Sequence, residues 1–161
     1  MDDTITVRNA DPTEIPVIAQ IWYDAWQDAH AEILPAQLAR IRTLESFQFR
    51  IGEMLDAVRV AGETGQPLGF CIVKDDELYQ LFVSAEARGT GVAPALISDG
   101  EKRLADRGVT TAWLACAVGN DRAARFYEKS GWHNAGIVSH SIETPDGIIE
   151  FDVWRYEKVL F

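Results

Sequence analysis

The residues with the clearest chemical potential form a glycine-containing turn at positions 88–93 of this 161-residue chain. A strand-like apolar run at 78–83 precedes the turn, and an apolar, helix-like segment at 94–104 follows it. Such a turn leaves backbone N–H groups free at the positive end of a helix dipole, where phosphate or pyrophosphate binds readily. The pattern therefore predicts a site for an anionic cofactor, but an ordinary strand-to-helix loop has the same local pattern.

A second motif with chemical potential lies at positions 120–132. Asn120 suits the N-cap of a short helix, because its side chain can accept a hydrogen bond from a free backbone N–H of the first turn. Ala123, Phe126 and Tyr127 fall at i, i+3 and i+4, so we expect them to share one buried stripe. From these residues alone, Tyr127 is either a core aromatic residue or a hydroxyl group placed for chemistry.

Taken in this order, the two motifs resemble those of the GNAT superfamily of acyl-CoA-dependent N-acyltransferases. Arg88, Gly91 and Ala93 match the family's Arg/Gln-x-x-Gly-x-Gly/Ala turn, and residues 120–132 match its Asn-x-x-Ala-x-x-Phe-Tyr-x-x-x-Gly-Phe pattern. The resemblance implies an α/β domain with a mixed, mostly antiparallel central sheet of about seven strands and about four flanking helices. It also implies a bulged fourth strand that splays from the fifth.

The resemblance further implies that the chain binds acetyl-CoA as a co-substrate. The fourth strand is expected to pair its backbone with the pantetheine arm, and Asn120 is expected to hold that arm near its reacting end. Arg122 and Lys129 also lie where they could meet the phosphates. The residues implied in cofactor binding are Leu81, Phe82, Val83, Arg88, Gly89, Thr90, Gly91, Val92, Ala93, Asn120 and Arg125.

The chemistry that the resemblance implies is direct attack of an amine on the thioester within a ternary complex. This reaction needs a base for the amine and a proton donor for the departing sulfur. Tyr127 resembles the family's general acid. Glu77, at the start of the fourth strand, stands where many relatives carry a catalytic glutamate, but a solvated strand-end carboxylate fits the position equally well. Pro94 departs from the family pattern, since proline has no N–H to offer, and it predicts weaker cofactor binding.

Acceptor choice in this family usually comes from the first two helices and the loop between them. Here the resemblance implicates Tyr23, Trp26 and His30, although Trp22 and Trp26 at i and i+4 are also typical of a helix core. An aromatic and acidic lining would suit a cationic amine. The expected function is acetylation of a small-molecule amine. The alternatives are a protein or peptide amine acetyltransferase and a non-catalytic acyl-CoA-binding regulatory module.

The composition of the chain narrows the range of partners, metal sites and cellular locations that we expect. The formal net charge of −10 argues against nucleic-acid or anionic-membrane partners and modestly favours a cationic acceptor. Cys71 and Cys116 form no close metal-binding pair, so we expect buried thiols and no metal site. No apolar run is long enough to cross a bilayer and the N-terminus lacks a signal sequence, which predicts a cytoplasmic protein. Homodimers are common in the family.

The rest of the pattern supplies the elements that must position these residues. We find no repeats or linkers, so residues 1–161 are expected to form a single domain. The expected order is a strand near 4–8, a helix over 13–30, an interrupted helical stretch over 33–55, strands near 58–60, 68–73 and 77–83, the turn and its helix, a strand over 110–116, the Asn120 helix, and strands near 132–141 and 148–156.

Overall fold

The structure is a computed structural model that describes residues 5–161. Its main feature is a break in the pairing between two central strands of the sheet. The strands are β1 (Val7–Asn9), β2 (Val58–Glu63), β3 (Gln66–Lys74), β4 (Glu77–Val83), β5 (Thr111–Ala117), β6 (His133–Thr144) and β7 (Gly147–Val159). The helices are α1 (Ile15–His30), α2 (Ala36–Ile41), α3 (Leu44–Glu53), α4 (Val92–Asp106) and α5 (Asp121–Lys129).

The seven strands form one mixed sheet in the order β1-β2-β3-β4-β5-β7-β6. Neighbouring strands are antiparallel except β4 and β5, which are parallel. This architecture confirms the predicted fold class, with five helices where about four were expected. The first predicted strand is partly shifted, since β1 begins at Val7 and Thr4 lies outside the described residues.

The break between β4 and β5 follows from a local irregularity in β4. The parallel pair is in register at one position, Glu77 opposite Trp113. Two residues later, β4 carries an extra residue at Tyr79, because Val73 of β3 pairs with Leu78 while the adjacent Ile72 pairs with Gln80. A bulge bends the strand that carries it. The rest of β4 consequently stays paired with β3 and leaves a gap beside β5.

Two helical layers cover the sheet and bury its alternating side chains. On one face, α4 and α5 pack on a cluster that includes Cys71, Val73 and Leu114. On the other face, α1 and α3 pack on Phe70 and Ile72. Because neighbouring β3 residues point to opposite faces, the apolar run of this strand serves both layers. Within residues 5–161, no helix is long and apolar enough to cross a membrane.

A buried ion pair anchors the start of α1, the helix that reaches the functional region at its other end. Glu14 is 1% exposed and accepts two hydrogen bonds from the guanidinium of Arg8, at 2.8 and 2.7 Å. It also accepts backbone N–H bonds from Asp11 and Gly65. The bonds from Arg8 and the two backbone groups outweigh burial and lower the pKa of Glu14 from 4.5 to about 2.

We expect Glu14→Gln to lower the free energy of unfolding at neutral pH by about 3 kcal/mol. This is the free energy that corresponds to a folded-state pKa lowered by about two units. The stabilisation by Glu14 is complete above the unfolded pKa of 4.5 and is lost as the pH falls toward about 2. The difference between the two proteins should therefore shrink below a pH of about 4.5. Urea denaturation across this range measures it.

Glu53→Gln is the matched control, because Glu53 is exposed near the end of α3 and has no ion pair within the described residues. This variant should unfold like the unmodified protein. A Glu14→Gln penalty that stayed constant with pH would contradict the assigned role of the carboxylate.

Candidate functional site

The turn between β4 and α4 presents a row of backbone N–H groups. Gly91 is the N-cap of α4 with φ of 91°, and Gly89 has φ of 78°, a region that glycine enters without strain. Within residues 5–161, the N–H groups of Gly89, Gly91, Val92 and Ala93 have no backbone partner. The 15-residue helix α4 directs its positive end at the same place. Together these groups form the environment that a pyrophosphate requires.

Two arginines lie beside this turn and share one carboxylate. Arg88 donates to Oδ2 of Asp28 at 2.8 Å, and Arg122 donates to the same oxygen at 3.3 Å. These bonds, from Arg88 first and Arg122 second, lower the pKa of Asp28. Both guanidinium groups are therefore gathered at the mouth of the turn, where phosphate oxygens could replace Asp28 as their partner.

A cavity of about 570 Å³ extends from the turn into the gap between β4 and β5. Past Glu77 the β4 backbone is not paired with β5, so an extended ligand can hydrogen-bond along it like an added strand. Of the predicted cofactor residues, those that line the cavity are Leu81, Phe82, Val83, Arg88, Gly89, Gly91, Ala93 and Asn120. The turn before α4, the two arginines beside it and the gap between β4 and β5 together fit an elongated anionic cofactor.

Helix α5 brings Asn120 and Tyr127 to the wall of this cavity. Asn120 is the N-cap of the helix and accepts a hydrogen bond from the Ala123 N–H at 3.4 Å, as predicted. Tyr127 is 9% exposed and its ring packs against Tyr156 and Trp132. Burial raises the pKa of Tyr127, so its hydroxyl stays protonated. That hydroxyl makes no hydrogen bond to any residue in the range 5–161.

A second cavity, of about 480 Å³, lies on the opposite side of the gap. Six residues line both cavities, so the two meet through the opening in the sheet. They are His30 of α1, three residues of β4 and two small residues of β5: His30, Tyr79, Gln80, Phe82, Ala115 and Ala117. A group bound in the first cavity can therefore meet a group bound in the second.

Glu77 lines the second cavity at the point where β4 and β5 separate. Burial raises the pKa of Glu77 from 4.5 to about 7, and the positive charge of Lys74 offsets part of that rise. A carboxylate with this pKa can take up and release a proton at neutral pH. Glu77 is half-buried, so it is not the solvated strand-end carboxylate that the sequence also allowed.

Two of the residues expected at the acceptor site, Trp26 and His30 of α1, line the second cavity. Burial lowers the pKa of His30 from 6.5 to about 4, so the imidazole is neutral at neutral pH. Its Nδ1 is buried and has no hydrogen-bond partner among residues 5–161. The ring centres of Trp26 and His30 are 5.5 Å apart. Trp26 is 6% exposed, so it belongs to the hydrophobic core and also forms part of the cavity wall.

Four predicted site residues do not line either cavity, each for a local reason. The Thr90 hydroxyl donates to the Ala87 carbonyl and closes the turn. Val92 is 1% exposed and packs in the core, so only its backbone faces the turn. Arg125 is exposed on α5, where Arg122 lines the cavity. Tyr23 packs edge-on against Phe47 between α1 and α3.

The predicted buried stripe of α5 is also partly wrong. Ala124 and Tyr127 are the buried residues of this helix, whereas Ala123 and Phe126 are only half-buried. Ala123 and Phe126 instead line the first cavity beside Tyr127.

Three basic residues that line the second cavity were not predicted from the sequence: Arg42, Arg50 and Lys74. Arg42 directly follows α2, Arg50 lies on α3 and Lys74 ends β3, so no spacing along the chain connects them. An aromatic wall is present, as expected. The expected acidic lining is not, because Glu77 is the one carboxylate among the described residues that line this cavity.

The comparison with known proteins points to one family. The model of the acetyltransferase (GNAT) family matches residues 17–132. A Mycobacterium tuberculosis protein named an uncharacterized N-acetyltransferase is 33% identical over 81 residues, which cover 47% of this chain and 52% of that protein. The match with this relative therefore spans about half of its length.

Solved structures match over nearly the full chain. A GCN5-related N-acetyltransferase from Rhodopseudomonas palustris superposes with a TM-score of 0.74 at 20% identity, covering 97% of this chain and 96% of that one. An acetyltransferase from Salmonella typhimurium, solved with its cofactor acetyl-CoA, gives a TM-score of 0.71 at 16% identity, with coverage of 98% and 95%. At these identities the likeness concerns the fold.

Pro94, in the first turn of α4, lines the first cavity and lacks the N–H that another residue would offer there. We expect Pro94→Ala to bind acetyl-CoA about tenfold more tightly, because a hydrogen bond to a charged group contributes roughly 1.5 kcal/mol. Calorimetric titration of both proteins with acetyl-CoA measures the change.

Pro16→Ala is the matched control. Pro16 also occupies the first turn of a helix, α1, and is exposed without lining either cavity. Its replacement should leave the dissociation constant unchanged. Equal affinities for Pro94→Ala and the unmodified protein would show that the missing N–H does not limit binding.

Proposed function

The chain belongs to the acetyltransferase (GNAT) family, and on that premise we propose that it transfers the acetyl group of acetyl-CoA to a primary amine. The observation that carries this proposal is the meeting of two cavities at the gap between β4 and β5. One cavity begins at an anion-binding turn and includes Tyr127, and the other includes Glu77. This arrangement supports Tyr127 as the proposed proton donor and Glu77 as the proposed proton acceptor, on opposite sides of one opening.

The first cavity fits acetyl-CoA as the acyl donor. The pyrophosphate would bind the turn amides with Arg88 and Arg122, and the pantetheine arm would pair with β4. Asn120, at the wall of the same cavity, would hold the arm near its reacting end. The acetyl thioester supplies an activated carbonyl carbon to this site. It would then lie at the gap, within reach of an amine bound in the second cavity.

In the transfer, Glu77 removes a proton from the amine, which is mostly protonated near neutral pH. The amine nitrogen then forms a bond to the carbonyl carbon, the bond from that carbon to sulfur breaks, and the nitrogen releases its second proton to solvent. Tyr127 gives its hydroxyl proton to the departing sulfur, so the products are an N-acetyl amide and coenzyme A with a free thiol. Both side chains exchange protons with solvent to restore their starting states.

Two other functions fit the family. A protein or peptide amine as acceptor would have to bring its chain end into the second cavity, whose lining comes from α1, α2, α3 and the sheet. A non-catalytic acyl-CoA-binding module would keep the first cavity without needing a tuned base. The pKa of Glu77 near 7 favours the enzyme, since burial that raises a carboxyl pKa costs stability.

We expect Tyr127→Phe to lower kcat about a hundredfold while the dissociation constant of acetyl-CoA stays unchanged, because a positioned proton donor contributes this much to a transfer step. Thiol release with a panel of primary amines gives kcat, and calorimetry gives the affinity. Tyr156→Phe is the control, since Tyr156 packs on Tyr127 but does not line the first cavity. Loss of turnover in both variants would indicate a packing defect and contradict the role of the Tyr127 hydroxyl.

We also expect kcat to fall below a pH of about 7, because Glu77 must be ionised to accept the proton and its pKa is about 7. Glu77→Gln should lower kcat strongly and remove this dependence. Glu53→Gln is the control, because Glu53 is exposed at the end of α3, lines neither cavity and is not among the charges that shift the pKa of Glu77. If kcat of Glu77→Gln still falls below a pH of about 7, another group is the base.

A further inference from the structure

We infer that the second cavity binds an amine that also carries an acidic group, and that Arg42 and Arg50 hold that group. This inference rests on the proposed acetyl transfer and specifies its acceptor. It departs from the cationic acceptor that the net charge of −10 favours, because the charge inside the cavity differs from that of the whole chain. The acidic group is an oxyanion, either a carboxylate or a phosphate.

The ionisable side chains of the cavity are mostly basic. Arg42, Arg50 and Lys74 face a single carboxylate, Glu77, whose pKa of about 7 leaves it partly neutral. The cavity also contains His30 and His140, and the pKa of each is lowered, so neither adds a full charge at neutral pH. Burial is the main cause for both, and the charge of Arg42 contributes for His140. The cavity is therefore positive where the rest of the chain is acidic.

Among the half-buried arginines of the described residues, Arg42 and Arg50 are set apart because they have no ion-pair partner. Six arginines of the range 5–161 are half-buried, and four of them pair with carboxylates: Arg8 with Glu14, Arg59 and Arg103 with Asp99, and Arg155 with Glu157. Arg42 and Arg50 are the two that do not. A half-buried guanidinium group normally has an anionic partner. In this cavity the acceptor can supply one.

The two guanidinium groups also repel each other. Burial, together with the charge of Arg50, lowers the pKa of Arg42 to about 10. Like charges held together in a cavity are destabilising unless an anion lies between them. Two arginines facing one space can bind the oxygens of a carboxylate or phosphate at the same time, which lysine cannot match in geometry.

Arg50 is held in position before any ligand binds. Its guanidinium lies 4.3 Å from the centre of the Trp22 ring, and its Nη2 donates to the Tyr79 hydroxyl at 3.0 Å. Tyr79 is the bulged residue of β4, so Arg50 is tied to the gap where the acetyl group would arrive. A fixed binding group loses little entropy on binding. The cavity thus offers Glu77 for the amine and an arginine pair for the acid.

The test compares amines that differ only in their acidic group. The probes are L-phenylalanine and L-methionine against their carboxamides, and phosphoethanolamine against ethanolamine, each with saturating acetyl-CoA. We expect kcat/KM to be about tenfold or more higher for the acidic member of a pair, since charge-assisted bidentate bonds are lost in its neutral partner. The carboxylate and phosphate pairs together identify which oxyanion the site prefers.

Arg42→Gln should raise KM for the acidic amines about tenfold to a hundredfold, with kcat and the acetyl-CoA affinity little changed. Arg40→Gln is the matched control, because Arg40 is exposed on α2 and lines neither cavity. Arg50→Lys keeps the charge but loses the planar donor pair, so it should raise KM for the acidic amines as well. Thermal denaturation of each variant confirms that it is folded.

Three outcomes separate the inference from the proposed function. A preference for acidic amines that Arg42→Gln removes would support both. Thiol release that is as fast or faster with the carboxamides and ethanolamine would overturn the acidic acceptor and leave acetyl transfer intact. Binding of acetyl-CoA without thiol release from any amine would overturn acetyl transfer, and the inference with it.

Discussion

The separation of β4 from β5 is the constraint on which the rest of the site depends. One registered pair, Glu77 opposite Trp113, holds the strands together, and the bulge at Tyr79 turns β4 away beyond it. A continuous sheet would satisfy its own backbone groups and close the space between its two faces. The break leaves backbone groups available and joins a cavity on one face to a cavity on the other. Donor and acceptor can therefore approach from opposite sides and meet in the middle.

Most of the fold and much of the lining of the first cavity were predictable because their causes are local in sequence. The left-handed Gly91, the N-cap role of Asn120 and the start of α4 depend on neighbouring residues only. The order of the elements follows from hydrophobic periodicity, and their boundaries lie within a few residues of those predicted. Arg122 and Arg125 are an exception, because both were expected near the phosphates and of the two it is Arg122 that lines the first cavity. Both side chains follow the same N-cap, and the rotation of α5 against the sheet decides which one reaches the cavity.

Most of the lining of the second cavity could not be predicted, because residues that are distant in sequence come together there only in the folded chain. Arg42 follows the end of α2, Arg50 lies on α3 and Lys74 is at the end of β3, so their juxtaposition depends on how α2 and α3 pack. Net charge is an average over the surface, and it had the wrong sign for this cavity. The pKa of Glu77 has the same origin, since burial by distant parts of the chain raises it. Tyr23, assigned to the acceptor site from its helix position, instead packs on Phe47.

Asp28 makes entry into the cofactor site an exchange of partners. Arg88 and Arg122 already share its carboxylate, so an incoming phosphate must displace an internal anion before it gains those bonds. A small free phosphate would gain little from such an exchange, whereas a ligand with a long arm adds backbone pairing along β4. Exchange with Asp28 therefore favours a ligand that gains further contacts beyond its phosphates. The Asp28 carboxylate also offsets part of the positive charge that Arg88 and Arg122 would otherwise present to solvent at this surface.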